Sequence, residues 1–201
     1  YVSPEKTGPA AVIVLAAGAG TRMKSRTPKI LHEIGGRSLV GHALHAARTI
    51  RPQELALVVR HERDLVAAHI AAVDPSALIV DQDEVPGTGR AVEAALEALD
   101  ALHPDGRLSG TVVVTYGDVP LLTGQLLAEL VDSHEAGHNA VTVLTAVLDD
   151  AAGYGRILRA ADGTVTGIRE HKDATDAERG IREINSGIYA FDAAVLRDSL
   201  A

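Results

Sequence analysis

The stretch from Val12 to Lys29, which reads VIVLAAGAGTRMKSRTPK, constrains the fold more than any other part of this sequence. Its apolar run, Ile13 to Leu15, is typical of a strand that is buried on both faces in the middle of a parallel sheet. The run ends in small residues from Ala16 to Gly20. Glycines in such a loop tolerate positive φ, and the low side-chain volume lets an anion approach the backbone N–H groups. We therefore predict a ligand-binding loop directly after a central strand.

Positive charge is concentrated in and just after this loop, although the chain has a formal net charge of −8. Between Ala19 and Ser38 a single acid, Glu33, stands against five cations, which are Arg22, Lys24, Arg26, Lys29 and Arg37. The local field decides what binds here, rather than the net charge. A surface loop with solvated basic residues would explain the charges, but not the buried strand and the glycines that precede them.

Strands and helices alternate along the first two thirds of the chain. Ser38 predicts an N-cap for a helix through about Ile50. Further strands are predicted at 55–59, 77–80 and 111–115, and further helices at 65–73, 90–102 and 124–136. This alternation predicts an α/β fold, a Rossmann-like and mainly parallel sheet with helices on both faces. The last third changes character, since alternating patterns predict strands at 139–148, 165–168 and 187–191.

Two common phosphate-binding patterns fail at the first loop. The dinucleotide fingerprint needs Gly or Ala where Met23 stands, and it needs an acid about 20 residues later that this sequence lacks. The P-loop pattern needs a second glycine at the position of Met23, and Pro28 would interrupt the helix that must follow.

A third pattern fits at every position. The nucleotidyltransferase signature L-x-x-G-x-G-T-R-M matches Leu15 to Met23, and its P-K pair matches Pro28 and Lys29, within the run PKILH. On these residues the chain resembles the uridyltransferase domain of the bacterial bifunctional N-acetylglucosamine-1-phosphate uridyltransferase/glucosamine-1-phosphate acetyltransferase, within the sugar-phosphate nucleotidyltransferases. The resemblance covers about 11–201, which we interpret as one nucleotidyltransferase domain, incomplete at its C-terminal end, after an N-terminal tail at 1–10.

The resemblance implies the nucleotide-diphospho-sugar transferase fold with a β-rich, sugar-binding last third. It also implies a reaction: UTP and N-acetylglucosamine 1-phosphate give UDP-N-acetylglucosamine and pyrophosphate, for peptidoglycan and lipopolysaccharide precursors. Implied nucleotide contacts in the first loop are Leu15, Ala16, Ala17, Gly18, Gly20, Thr21, Arg22 and Lys29.

Two polyanions must meet in such a reaction, so catalysis should consist mostly of charge neutralisation and positioning. We therefore expect Arg22 and Lys29 to be catalytic. Arg22 and the backbone of residues 18–21 would hold the β- and γ-phosphates, and Lys29 would lie on the reacting phosphates.

Polar residues follow the strand predicted at 77–80. The amide of Gln82 carries a donor and an acceptor, which suits the edge of a pyrimidine, and Gly87 and Thr88 open a helix whose N–H groups face the same edge of the sheet. A turn and a helix cap would be the plain structural account. The resemblance implies that these three residues hold uracil and ribose.

The strand predicted at 111–115 is followed by Tyr116, Gly117 and Asp118. A carboxylate at a strand end is a hard oxygen ligand suited to Mg²⁺, although an aspartate that caps the next turn is an equal alternative. The resemblance implies Mg²⁺ as the cofactor with Asp118 as its ligand, and sugar contacts from Tyr116 and Gly117. The family's second metal ligand, a downstream asparagine, lies beyond the end of this sequence.

Three residues of the last third acquire a role only through the resemblance. Without the resemblance, the local sequence predicts a turn at Gly155, a solvated run of charged residues around Glu170, and a turn at Asn185. The resemblance implies that all three contact the hydroxyl and amide groups of N-acetylglucosamine.

Composition excludes several classes of function. The chain has no cysteine, which excludes disulfides and thiolate metal sites and is compatible with the cytoplasm, the location we expect. Its 2% aromatic content and acidic balance argue against nucleic-acid binding. No signal-peptide pattern or long apolar run indicates export or a membrane segment. The histidine pairs His42/His45 and His134/His138 have helical spacing, but no further ligand completes either pair, so we expect solvated helix faces.

Two alternatives remain open. The chain could be another sugar nucleotidyltransferase, thymidylyl- or glucose-1-phosphate uridylyl-specific, although the segments GYGRI, EHKDAT and EINSG favour N-acetylglucosamine. It could also be a nucleotide-binding fragment without catalysis. The resemblance further implies that full-length family members form homotrimers through a β-helix acetyltransferase domain that this sequence does not contain.

Overall fold

Alternating strands and helices make up most of the computed structural model, which describes residues 8–18, 20 and 23–201. The strands of this part are β1 (Ala11–Leu15), β2 (Glu33–Ile34), β3 (Arg37–Ser38), β4 (Glu54–Val59), β5 (Leu78–Asp81), β6 (Thr111–Tyr116), β7 (Val141–Val147), β8 (Arg156–Arg159), β9 (Val165–Arg169) and β10 (Glu183–Asp192). Its α-helices are α1 (Leu39–Thr49), α2 (Arg63–Val73), α3 (Thr88–Asp100), α4 (Gly124–Ala136), α5 (Asp176–Arg179) and α6 (Ala193–Leu200). None of these helices has the length and apolar composition needed to cross a membrane.

The chain divides into two compact units, and the first contains the parallel sheet. This unit comprises the described residues up to Thr142 together with Ala190–Ala201. Its parallel strands are arranged in the order β5-β4-β1-β6, and Ile13 in β1 pairs with Ala56 on one side and Val114 on the other. The predicted central, parallel first strand is therefore confirmed.

Side chains of β1 alternate between two helix layers. Ala11, Ile13 and Leu15 belong to a buried cluster that also contains residues of α3 and α6. Val12 and Val14 are fully buried and point to the opposite face, because successive residues of a strand point to opposite sides. On that face α1, α2 and α4 contact β1, β4 and β6 respectively. The prediction of helices on both faces is confirmed.

Local sequence signals place most of the element boundaries. The hydroxyl oxygen of Ser38 accepts a hydrogen bond from the N–H of Gly41 at 3.0 Å, so α1 begins where the predicted N-cap stands. The sequence analysis missed the hairpin of β2 and β3, whose two-residue turn is Gly35-Gly36 with φ of +61° and +77°. A glycine pair between short strands is a known hairpin signal, so this element could have been predicted.

The second unit, Val143–Tyr189, is rich in β-structure, as predicted for the last third. Here β10 lies between β7 and β8, and β9 pairs with β8 in antiparallel orientation. Asn185, which the local pattern indicated as a turn residue, lies inside β10. That indication was wrong because the backbone N–H of Asn185 donates to the carbonyl of Gly155 at 2.9 Å, a contact distant in sequence.

The expectation of solvated histidines is wrong for His134. This residue in the last turn of α4 is only 4% exposed, and its Nδ1 lies 3.0 Å from the hydroxyl of Thr142. The cause is the tight return of the chain from α4 to β7, where Asn139 also donates to Thr142. Within the described residues no group of three or more His, Cys, Asp or Glu side chains is arranged to hold a metal.

Burial lowers the pKa of His134, because desolvation disfavours the imidazolium form. The unfolded chain therefore binds this proton more readily, and the free energy of unfolding should fall as the pH drops below about 6.5. We expect His134→Gln to flatten this acid-side decline in urea unfolding curves recorded from pH 8 to pH 5. His45→Gln, at an exposed position of α1, is the matched control. Parallel pH profiles for His134→Gln and the unchanged chain would contradict this account.

Candidate active site

A cavity of about 910 Å³ lies in the first unit, at the carboxyl ends of its parallel strands. Each strand sends at least one residue to its wall: Ala16, Ala17 and Gly18 follow β1, Arg60, His61 and Glu62 follow β4, Gln82 follows β5 and Asp118 follows β6. Open α/β sheets bind ligands at this edge, and the volume lies in the usual range for small-molecule sites.

Most of the residues of the first unit that were predicted to bind the nucleotide, the metal or the sugar line this cavity. They are Leu15, Ala16, Ala17, Gly18, Gly20, Lys29, Gln82, Gly87, Thr88, Tyr116 and Asp118. Gly117 does not: it is buried, and its N–H donates to the carbonyl of Leu15 at 2.9 Å. Thr21 and Arg22 lie outside the described residues.

Lys29 and Asp118 form an ion pair inside the cavity, with Nζ and Oδ2 2.5 Å apart. Lys29 comes from a short 3₁₀ turn, Lys29–Leu31, after Pro28, and Asp118 stands just beyond β6. The two side chains are 39% and 31% exposed, so both are accessible to a ligand. The fold thus brings a primary ammonium group and a hard oxygen ligand to one point.

Position 20 requires glycine because the loop backbone there lies against the side chain of Lys29. Its φ is +57°, and a Cβ added there would lie 2.6 Å from the Cβ of Lys29. Real Cβ atoms do not approach so closely, and a positive φ also disfavours other residues. This glycine of the sequence signature therefore lets the loop pack against the base of the lysine side chain.

Gln82 is held in one orientation by the loop that follows it. Its Nε2 donates to the carbonyls of Val85 at 3.0 Å and Gly87 at 3.1 Å. Since both partners are acceptors, the amide nitrogen must face them, and Oε1 remains as the group offered to a ligand. Arg90 also binds Asp83 at 2.7 Å and lowers its pKa, which fastens the same loop to α3.

Three residues of the cavity wall that follow β4 were not predicted from the sequence. Arg60, His61 and Glu62 line the cavity, and Arg60 Nη2 donates to the carbonyl of Glu84 at 3.2 Å. Glu62 has φ of +49°, an uncommon conformation for a residue other than glycine and one that is enriched at functional sites. Their position at the carboxyl end of a predicted parallel strand is the signal that could have found them.

The three residues of the last third that were predicted to contact a sugar lie close together in the second unit. A Cβ added at Gly155 would lie 3.1 Å from Glu170 Oε1 and 3.6 Å from Asn185 Cβ. The carbonyl of Gly155 also accepts the backbone N–H of Asn185. Glu170 and Asn185, from two other segments of the chain, therefore both lie close to Gly155.

Arg156 is the anchor of this group. It is 1% exposed, its Nη1 donates to the carbonyl of Tyr154, and its Nη2 lies 3.4 Å from the carbonyl of Arg179 and from His171 Nδ1. Its Nε has no partner within the described residues. The buried guanidinium thus ties the turn before Gly155 to the segment that follows Glu170.

Comparison with known proteins gives consistent matches over nearly the whole chain. The profile of the MobA-like NTP transferase domain matches residues 12–184. The Bifunctional protein GlmU of Pseudarthrobacter chlorophenolicus is 81% identical over 98% of this chain and 39% of its own length. The Bifunctional protein GlmU of Micrococcus luteus is 61% identical over 99% of this chain and 42% of its own length. These matches confirm the resemblance inferred from the first loop, and the chain spans about two fifths of the length of these relatives.

A solved structure supports the fold. The crystal structure of HddC from Yersinia pseudotuberculosis complexed with GMP-PN has a TM-score of 0.70 to this chain, at 22% identity, over 94% of this chain and 79% of that one. At this identity the likeness concerns the fold alone, and it agrees with the predicted nucleotide-diphospho-sugar transferase fold.

Gly155→Ala tests the contact group of the second unit. The added methyl must displace Glu170 Oε1 or Ile168 Cγ2, which would lie 3.1 and 3.2 Å from it. Such crowding typically costs ~1–3 kcal/mol, so we expect about tenfold weaker binding of UDP-N-acetylglucosamine with little change for UTP, measured by calorimetry. Gly167→Ala in the same unit meets nothing within 4 Å and is the control. Equal losses for both variants, or for both ligands, would contradict the assignment.

Proposed function

Because the chain belongs to the MobA-like NTP transferase family, we propose that it is the uridyltransferase part of a sugar-nucleotide synthase. In this proposal it joins UTP and N-acetylglucosamine 1-phosphate to give UDP-N-acetylglucosamine and pyrophosphate, a precursor for the bacterial cell wall. The observation that carries the proposal is the meeting of Lys29 and Asp118 in a cavity at the carboxyl ends of four parallel strands. The names of the highly identical relatives support the same reaction class.

The charges of the cavity suit an in-line displacement between phosphates. An oxygen of the sugar phosphate attacks the α-phosphorus of UTP, the bond to the β-phosphate oxygen breaks, and pyrophosphate leaves. Negative charge gathers at these oxygens, so the catalytic task is neutralisation by positioned cations. Lys29, which lines the cavity, is proposed as the cation on the reacting phosphates. Arg22, outside the described residues, is proposed as the cation on the β- and γ-phosphates.

Asp118 fits a magnesium ligand by its chemistry and its place. It is a hard carboxylate that lines the cavity. Within the described residues it does not belong to any group of three or more His, Cys, Asp or Glu side chains that could hold a metal ion. Mg²⁺ in phosphoryl-transfer enzymes is commonly held by one or two carboxylates plus substrate phosphates and water. When bound, the ion would neutralise charge on the phosphates and on the leaving pyrophosphate. The ammonium group of Lys29 would then pair with a phosphate oxygen instead of with Asp118.

The orientation of Gln82 supports uracil as the base. Its donor atoms are taken by Val85 and Gly87, and Oε1 remains as an acceptor. Uracil presents an N3–H donor at the centre of its pairing edge, whereas cytosine has an unprotonated N3 acceptor there. An acceptor fixed at this place therefore favours uracil over cytosine.

The contact group of the second unit supports a substituted sugar. Glu170 supplies an acceptor, Asn185 supplies an amide, and the absence of a side chain at Gly155 leaves space beside both. Hydroxyl and acetamido groups need this mixture of donors and acceptors.

The direct test is pyrophosphate release by this chain. UTP with N-acetylglucosamine 1-phosphate and Mg²⁺ should give turnover, while dTTP, CTP or glucose 1-phosphate should be poor replacements. Efficient use of dTTP or glucose 1-phosphate would instead indicate another sugar nucleotidyltransferase. UTP binding without pyrophosphate release would indicate a nucleotide-binding fragment.

Lys29→Ala should lower turnover about a hundredfold, since loss of one preorganised charged group typically costs ~3 kcal/mol of transition-state stabilisation. Stability should change little, because the ion pair with Asp118 is partly exposed. Lys24→Ala, an exposed lysine of the same loop that does not line the cavity, is the control. Steady-state pyrophosphate release measures both, and unchanged turnover in Lys29→Ala would contradict the proposed role.

A further inference from the structure

The side-chain oxygen of Asn185 accepts two hydrogen bonds. The backbone N–H of Gly187 donates to Oδ1 at 2.9 Å, and the hydroxyl of Tyr189 donates to the same atom at 2.9 Å. A carboxamide oxygen has two lone pairs, so these two donors occupy its acceptor capacity. The N–H of Gly187 can only donate, so Oδ1 and not Nδ2 must face it, and this sets the orientation of the amide. The hydroxyl of Tyr189 then donates to the same oxygen.

The result is a side chain with donors only. Among the described residues no acceptor lies within hydrogen-bond distance of Asn185 Nδ2, so its two N–H groups remain for a ligand. Glu170, whose Oε1 also lies close to Gly155, is acceptor-only when ionised. A side chain that offers donors and a side chain that offers acceptors therefore lie near the same glycine.

We propose that Tyr189 is a positioning residue that makes Asn185 a donor-only contact and thereby selects a sugar whose amino group is acylated. An acetamido group offers a carbonyl oxygen to Asn185 and an N–H to Glu170. A free ammonium group carries donors only, so it would suit Glu170 but would face the N–H groups of Asn185. This inference rests on the proposed function, because it concerns the sugar substituent at that same site.

The surroundings of Tyr189 suit this role. Burial raises the pKa of its phenol, with a smaller contribution from the negative charge of Glu170, so the hydroxyl keeps the proton that it donates. Tyr189 lies four residues after Asn185 in β10, on the same face of the strand. The hydroxyl acts through Asn185, so its loss should change ligand choice more than folding.

Tyr189→Phe is the first test, with binding of UDP-N-acetylglucosamine, UDP-glucosamine and UTP measured by calorimetry. Without the phenol, Asn185 is held by one hydrogen bond and can present its oxygen to an ammonium at lower cost. We expect the preference for the acetylated sugar nucleotide over the free amine to fall about fivefold, the typical worth of one hydrogen bond, while UTP affinity stays unchanged. Tyr154→Phe, at an exposed tyrosine of the same unit, should leave the preference intact.

A double-mutant cycle separates positioning from general damage. In an Asn185→Ala background, Tyr189→Phe should have no further effect on the preference, because the residue through which it acts is gone. Thermal unfolding checks that each variant folds before its binding is compared.

The outcomes distinguish this inference from the proposed function. If the unchanged chain binds UTP but shows no preference for UDP-N-acetylglucosamine over UDP-glucosamine, the proposed sugar and this inference are both wrong. If the preference exists and persists undiminished in Tyr189→Phe, or if Tyr189→Phe still changes it in the Asn185→Ala background, the inference alone is wrong.

Discussion

The pairing of β1 between β4 and β6 is the constraint on which the candidate active site depends. Because Ile13 pairs in parallel with both Ala56 and Val114, three strands end at the same edge of the sheet. Residues from distant parts of the sequence follow those ends, and they meet at one cavity. Without this parallel register Lys29 and Asp118, 89 residues apart, would have no reason to lie 2.5 Å from each other.

One glycine in each unit allows a polar or charged side chain to lie close to the backbone. In the first loop Gly20 lets the backbone pass over the base of Lys29, so the cation is held by packing as well as by charge. At Gly155 the missing side chain allows Glu170 and Asn185 to lie close to the backbone of the turn, where a Cβ would be 3.1 Å from Glu170 Oε1 and 3.6 Å from Asn185 Cβ. In both places an added methyl would occupy space next to a charged or polar functional group. At such sites even an apolar substitution that adds one methyl group should be disruptive, because there is no free volume for it.

Hydrogen bonds inside the protein decide what the candidate contacts can offer to a ligand. Gln82 and Asn185 are both carboxamides, and from sequence each carries a donor and an acceptor. In the structure the amide N–H groups of Gln82 donate to the carbonyls of Val85 and Gly87. The amide oxygen of Asn185 accepts from the N–H of Gly187 and the hydroxyl of Tyr189. One amide is left to accept and the other to donate. Under the proposed function, groups that need not touch the ligand would thus contribute to selectivity for a base and for a sugar substituent.

The sequence by itself determined the parallel α/β core, the glycine loop after β1 and much of the cavity wall, because aliphatic runs, caps and a glycine signature act over a few neighbouring residues. The hairpin at Gly35-Gly36 also has a local signal, its glycine pair. Tertiary structure decided the rest: the burial of His134, the strand position of Asn185, the cavity contacts after β4, and the partners of Arg156. These depend on segments far apart in the chain, whose contacts no local pattern encodes, since they exist only once the core has brought those segments together.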